Sequence, residues 1–287
     1  MLILHSPQIL HQKVTQWSTK ERIYFVPTMG CLHRGHMALI DRAKREEGKV
    51  IVSIFVNPLQ FGPSEDFDKY PRPFEEDVKL LEEAGVDCLF APRTIDLYPE
   101  GYSTKVSVGK ITDHLCGKSR PGHFEGVTTV CLKLFEITQA SAAIFGEKDF
   151  QQVRVLEKMI EDLNLSIRII RHSIVREPDG LALSSRNRYL SPEDRETASK
   201  IPLALMTARE RALADATLSV SAVLDSAKQK LVAGVRLEYL EVASAEDLVP
   251  MPPDTLLLDI RNPRLFIAAR VGDTRLIDNV ALHLTEG

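Results

Sequence analysis

The chain has 287 residues, 44% of them hydrophobic and 26% charged, and its net charge is −4. That length holds one large domain or two modest ones, and the composition is that of an ordinary globular protein. The acidic balance argues against a general nucleic-acid binder, because no basic excess is present to neutralise phosphates.

In chain order, the first seven residues lack the basic region of a signal peptide. Residues 22–26 read as a strand, and the turn Pro27-Thr28-Met29-Gly30-Cys31-Leu32-His33-Arg34-Gly35-His36 follows it directly. Residues 36–47 then read as an amphipathic helix, with Met37, Leu39, Ile40 and Ala43 on its apolar side. A strand that delivers a glycine-bearing turn onto a helix N-terminus makes an anion site. Free backbone N–H groups point outward there, and the helix dipole favours negative charge. His33 and His36 add ring donors for phosphate oxygens, and Gly35 leaves room for a nucleotide against the backbone. The reading is an ATP site in which charge develops on the α-phosphate. Two alternatives stand beside it. Cys31, His33 and His36 could form a metal cluster, although no fourth ligand follows at zinc-type spacing. The segment could also be an ordinary polar turn.

Residues 50–56 form a nearly continuous apolar run, the pattern of a strand buried on both faces of a parallel sheet. It is far too short to span a bilayer, so no membrane association is expected. The loop after it carries Asn57 and Gln60. Their amides donate and accept, which suits hydroxyl and carboxylate recognition, or simply a polar crossover. Pro73 opens a helix over 74–84, Gly85 ends it, and residues 87–91 form the next strand. Residues 114–126 are rich in glycine and basic residues. Gly117-Lys118-Ser119 lacks the leading glycine of a P-loop, since Thr112 stands in its place, so a flexible substrate-covering segment is expected there.

A helix over 126–138, a strand over 142–145, a helix over 150–163 and a strand over 166–170 follow. The middle junction holds Gly146, Glu147, Lys148 and Asp149, again where a phosphate binds. Lys148 supplies a mobile cation, Asp149 caps the helix or binds a ribose hydroxyl, and Gln152 can point back to the same mouth. The alternation implies an α/β fold, a Rossmann-like doubly wound parallel sheet with ligands outside the carboxyl ends of its strands.

Composition shifts near residue 175, which divides the chain into 1–174 and a smaller α+β domain over 175–287. Val175 and Arg176 could flank an adenine. Leu183, Ser184, Ser185 and Arg186 suit a phosphate grip, or a solvated turn before the helix that Ser191 and Pro192 open. Helices near 193–213 and 219–232 precede strands at 237–242, 255–260, 264–269 and 275–280. The four cysteines, Cys31, Cys88, Cys116 and Cys131, form no C-x-x-C pair and read as reduced thiols of a cytoplasmic protein.

With these segments in view, the chain resembles the pantoate–β-alanine ligase family, one branch of the HxGH nucleotidyltransferase-like superfamily. Residues 27–36 look like P-T-M-G-x-L-H-x-G-H, 56–61 like V-N-P-x-Q-F and 69–72 like the Y-P-R element. Residues 120–124 match R-P-G-H-F, 145–152 match F-G-E-K-D-x-Q-Q and 179–187 match D-G-L-A-x-S-S-R-N. The C-terminal third matches more loosely.

The resemblance implies that pantoate's carboxylate attacks the α-phosphorus of Mg-ATP, and that β-alanine then takes the acyl group from pantoyl-adenylate. It implies that Met29, Gly30, Cys31, Leu32, His33, Arg34, Gly35 and His36 contact ATP, with His36 the proton donor and His33 neutralising phosphates. It gives Gly146, Glu147, Lys148, Asp149, Val175, Leu183, Ser184, Ser185 and Arg186 to the nucleotide, with Lys148 and Arg186 among the catalytic cations. Gln60, Gln152 and Asn57 fall to the substrate. It further implies a cytoplasmic homodimer with an ATP- and pantoate-binding first domain, a C-terminal lid, and no nucleic-acid partner. Asp77 is the candidate Mg²⁺ ligand, with an ordinary helix-face carboxylate as the alternative. Cys31 sits at a variable family position and is expected to be non-catalytic. Glu125 follows R-P-G-H-F where a basic residue also occurs in the family. Three rivals remain at this stage: a nucleotidyltransferase acting on a phosphorylated substrate, a class I aminoacyl-tRNA synthetase, and a non-catalytic ATP-binding module.

Overall fold

The computed structural model describes residues 1–63 and 65–283. These separate into two compact units. The first comprises Met1–Val108, Arg120–Glu147 and Gln152–Ser173; the second comprises Gly109–Ser119, Lys148–Gln151 and the chain from Ile174 onward. Two short segments from earlier in the sequence therefore belong to the second unit.

The first unit is built on β1 (Leu2–Leu4), α1 (Pro7–Ser18), β2 (Ile23–Thr28), α2 (Arg34–Lys44), β3 (Lys49–Ile54), α3 (Phe74–Glu83), β4 (Cys88–Phe90) and α4 (Thr94–Leu97). A short helix, α5 (Leu115–Ser119), lies in the second unit. Then come α6 (His123–Thr138), β5 (Ala142–Gly146), α7 (Phe150–Asp162) and β6 (Arg168–His172). The six strands form one parallel sheet in the order β1-β4-β3-β2-β5-β6. β1 and α1 are additions to the sequence reading. Ser6 caps α1 by accepting the Ile9 N–H, and Pro7 opens the helix, so the signal was present locally.

From β2 the chain steps outward through β3 to β4, then returns to place β5 on the other side of β2. The carboxyl ends of β2 and β5 thus flank the point where strand order reverses, the place where doubly wound sheets bind ligands. The core on one side of the sheet joins Val26, Val52, Leu89 and Ile144 to Ile40 of α2 and Leu81 of α3. Burial of these apolar strands fixes the sheet, and the sheet in turn fixes where the β2 and β5 loops emerge.

The second unit adds α8 (Pro192–Ala198), α9 (Lys200–Ala214), α10 (Val220–Lys228), β7 (Arg236–Ser244), β8 (Pro263–Val271) and β9 (Thr274–Ala281). β7, β8 and β9 make an antiparallel sheet in that order. Its core gathers Leu205 and Ala208 of α9, Val223 of α10, and Leu265 and Ile267 of β8. The strand expected over 255–260 is instead a single 3-10 turn, Leu257–Asp259. Leu257 is buried while Leu256 and Leu258 are exposed. That alternation mimics a strand, but the Asp259 N–H turns back to the Leu256 carbonyl.

Candidate active site

The turn after β2 is held by a buried carboxylate. Asp77, on the core-facing side of α3, accepts the Cys31 N–H at 2.8 Å and the Leu32 N–H at 2.7 Å. Thr28 Oγ1 takes the Gly30 N–H at 3.1 Å. Gly30 has φ +81, and a Cβ there would lie 3.0 Å from an Asp77 oxygen, so both backbone and space require glycine. This corrects one expectation from the sequence: the N–H groups of Gly30, Cys31 and Leu32 are not free for an anion but hold the turn itself.

The two histidines use the next N–H groups. His33 caps α2, its Nδ1 accepting from Gly35 N–H at 3.1 Å, and His36 Nδ1 accepts from His33 N–H at 3.3 Å. The rings stack with centroids 4.0 Å apart. Because each Nδ1 is an acceptor, each neutral ring carries its proton on Nε2, which makes Nε2 a hydrogen-bond donor. The capping arrangement thus fixes the tautomer as well as the position. Met29 and His36 are half-buried and Arg34 is exposed.

The loop after β3 is braced onto the same turn. Gln60 Nε2 donates to Met29 Sδ at 3.2 Å, and its Oε1 accepts from Asn57 Nδ2 at 3.1 Å. Asn57 is 1% exposed; it also donates to the Gly126 carbonyl at 3.0 Å and accepts from the Tyr98 hydroxyl at 2.9 Å. A Cβ on Gly126 would come within 2.2 Å of the Leu59 carbonyl, so glycine alone lets α6 approach this loop. Arg120 pairs with Glu65 through two contacts of 2.6 Å, and its Nη2 donates to the Gln60 carbonyl at 3.3 Å. His123 Nδ1 donates to the same carbonyl at 2.9 Å. Burial alone would raise the Glu65 carboxyl, but the Arg120 hydrogen bonds and charge overrule it and hold it at about 2. The R-P-G-H-F motif therefore anchors the Gln60 loop.

Gly146 closes β5 and Glu147 follows it in the first unit, where Arg171 lies 3.8 Å from Glu147. Gln152, on the first turn of α7, is half-buried. Its neighbour Gln151 is buried and committed in the second unit, accepting the Cys116 N–H and donating to the carbonyls of Ile111 and His114. Cys116 Sγ also meets the Tyr239 hydroxyl at 3.0 Å. Of residues 114–126, expected to be a flexible cover, the first part up to Ser119 is thus hydrogen-bonded into the second unit, and the rest belongs to the first.

Lys148, Asp149, Val175 and residues 183–186 also belong to the second unit. Lys148 Nζ lies 3.6 Å from Asp149 Oδ1. Val175 and Leu183 join a short hairpin, with Leu183 N–H donating to the Val175 carbonyl at 3.0 Å. Ser184 Oγ caps the following 3-10 turn by accepting the Arg186 N–H at 3.3 Å, and Ser185 is buried.

For a metal, the sequence offers Asp77 as ligand or as an ordinary helix-face carboxylate. It lies on the buried face of α3, 2% exposed. Its oxygens already serve two backbone donors, and among the described residues no group of three or more His, Cys, Asp and Glu side chains could hold a metal ion. That donor set also answers the cluster of Cys31, His33 and His36. The sequence signal for the clasp was a carboxylate in the apolar stripe of α3, four residues before Leu81. Among the described residues, no helix is long and apolar enough to cross a membrane.

Comparison with known proteins finds relatives over nearly the whole chain. The family model for pantoate-beta-alanine ligase matches residues 2–281. The pantothenate synthetase of Thermotoga petrophila is 47% identical over 269 residues, covering 92% of each chain. A crystal structure of pantothenate synthetase from Thermus thermophilus superposes with a TM-score of 0.92 at 44% identity, covering 99% of this chain and 100% of that one. The pantoate-beta-alanine ligase of Francisella tularensis, solved in complex with beta-gamma ATP and beta-alanine, gives 0.81 at 36% identity and 98% coverage of both.

Proposed function

We propose a two-step ligation on the premise that this chain belongs to the pantoate-beta-alanine ligase family, whose model it matches over residues 2–281. The overall activity is the joining of pantoate to beta-alanine. In the first step a pantoate carboxylate oxygen bonds to the α-phosphorus of ATP. The bond to the bridging oxygen breaks, and pyrophosphate leaves with the electron pair. In the second step the amine of beta-alanine attacks the acyl carbon of pantoyl-adenylate. AMP leaves, the nitrogen loses a proton, and pantothenate forms.

The observation that carries this reading is the double-histidine turn at the switch point of the sheet. Both rings are capped through Nδ1, so both Nε2 atoms are donors set in place before ATP arrives. Negative charge moving onto pyrophosphate needs such preorganised donors and cations. In this reading His36 and His33 serve the phosphates and Lys148 and Arg186 supply positive charge. Met29 to Gly35, Gly146, Glu147, Asp149, Val175 and Leu183 to Ser185 contact the nucleotide. Gln60, oriented by Asn57 and Met29, takes pantoate with Gln152. The complex of the Francisella ligase with beta-gamma ATP and beta-alanine supports these two ligands for this chain. Mg²⁺, a reluctantly dehydrating ion, would be held by the ATP phosphates and water, where it would neutralise charge on the leaving pyrophosphate. The enzyme is taken to act as a cytoplasmic homodimer.

The test is ATP–pyrophosphate exchange with Mg²⁺ and pantoate, omitting beta-alanine. Exchange is expected only when pantoate is present. His36→Ala is expected to slow it by about 10²–10³-fold, the cost of one preorganised electrostatic donor. ATP binding without pantoate-dependent exchange would overturn the adenylate route and favour a nucleotidyltransferase.

A further inference from the structure

The last strand of the second unit carries two adjacent buried polar residues. Asp278 is 3% exposed and Asn279 2% exposed, on β9 at the edge of the sheet. Arg176 grips Asp278 with both terminal nitrogens, at 2.7 and 2.9 Å. Asp278 Oδ1 also accepts the Asn279 N–H at 2.7 Å. Arg176 Nη1 reaches on to the Gly180 carbonyl at 2.9 Å, across the tip of the hairpin that pairs Arg176 with Ala182. That hairpin leads straight into residues 183–186. The 3-10 turn Ser185–Tyr189, which contains Arg186, packs against β9 itself.

Asn279 holds the other segment. Its Nδ2 donates to the Lys148 carbonyl at 3.1 Å. Its Oδ1 accepts from Arg264 Nη1, and the Arg264 guanidinium lies 3.9 Å from the centre of the Phe150 ring. Burial raises the Asp278 carboxyl; the charges of Arg176 and Lys148 oppose that rise, which sets Lys148 within electrostatic reach of Asp278. A buried ion pair is a poor source of stability, since apolar residues of the same volume do as well or better. What it supplies here is a fixed geometry for two backbone segments.

We propose that Asp278 and Asn279 are positioning residues for the nucleotide: Asp278 sets the 176–183 hairpin that leads into the turn bearing Arg186, and Asn279 sets the backbone of Lys148. This rests on the assignment of Lys148 and Arg186 to ATP. The consequence is that a strand with no part in the sequence motifs mounts both cations on one rigid sheet.

The test measures pantoate-dependent ATP–pyrophosphate exchange and full turnover for Asn279→Ala, Lys148→Ala and the double variant, with thermal unfolding followed alongside. Asn279→Ala is expected to lower kcat/KM for ATP by about tenfold to a hundredfold, since small misplacement of a catalytic group is costly. KM for beta-alanine is expected to stay within about twofold, and the effect is expected to vanish in the Lys148→Ala background, because a positioning residue is coupled to the group it positions. Unchanged ATP kinetics in Asn279→Ala, or an equal loss in both backgrounds, would overturn the proposal. A silent Lys148→Ala would instead remove the site assignment beneath it. Should Asn279→Ala fail to fold, Asp278→Asn is read in the same way against Arg186→Ala, with coupling expected and additivity refuting it.

Discussion

Asp77 shows how far one buried side chain determines the site. Its carboxylate satisfies two N–H groups of a turn whose glycine is in the left-handed region and whose next residue, Cys31, also has positive φ. Without Asp77 those two donors face a buried space with no acceptor. Each unsatisfied donor costs about 1–3 kcal/mol. Asp77→Ala is therefore expected to lower the unfolding midpoint by roughly 5–10 °C, followed by circular dichroism. Asp77→Asn, which retains an acceptor oxygen, is expected to fall between. An unchanged midpoint in the alanine variant would refute the clasp. At this scale the sequence was informative about which residues matter and less so about what each does. His33 and His36 were legible because a strand, a glycine and a helix start coincide there. Their tautomers were not, because these depend on capping bonds that only the folded turn makes. Asp77, Arg176, Asp278 and Asn279 act through partners 45 to 131 positions away, and no local pattern encodes such pairs.

At the scale of elements, the two loops that follow β2 and β3 are joined through side chains, and α6 closes on them from its first turn. The Glu65–Arg120 pair is the hinge pin of that arrangement, with side chains only 18% and 13% exposed. Glu65 is held at about 2 in the folded chain against an ordinary value of 4.5. A carboxyl depressed on folding stabilises the fold in full above its unfolded value and loses that contribution as pH falls through the folded one. The window is thus pH 4.5 down to about 2, and the amount is of the order of 3 kcal/mol. Urea unfolding of the protein and of Glu65→Gln from pH 6 to pH 2 is expected to give a wide gap at pH 6 that narrows steadily below pH 4.5. A gap that does not change with pH would show that the pair contributes by packing alone. Element by element, the apolar pattern located α2, α3, α6 and α7, and the unbroken apolar run located β3, which is buried on both faces. The pattern misread 255–260, where three leucines alternate across a turn, and passed over β1, which is only three residues long.

At the scale of the molecule, a division of the sequence at residue 175 and the division of the fold are different things. Composition changes at that point, and a linear reading has no means of returning earlier segments to a later unit. Yet Gly109–Ser119 and Lys148–Gln151 belong with the C-terminal sheet. The reasons are specific. Phe150 packs on Phe266 with ring centroids 5.8 Å apart and lies under Arg264. Cys116 meets Tyr239, Arg275 Nη2 reaches Ser119 Oγ at 3.2 Å, and Asn279 holds Lys148. A fragment ending at Ser173 would retain the whole parallel sheet and every strand-derived loop of the first unit. It would also strip Phe150 and Cys116, 2% and 7% exposed in the full chain, of those partners. Aromatic and apolar surface left in this way drives association or a loosened state. The 1–173 fragment is therefore expected to bind a hydrophobic dye and to unfold broadly, while the full chain unfolds sharply. A fragment with a sharp transition and no dye binding would make residue 174 a true domain boundary and reduce the two early segments to incidental contacts. The expected result would mean that the cation at Lys148 is placed by the C-terminal sheet, although the motif that contains it follows a strand of the parallel one.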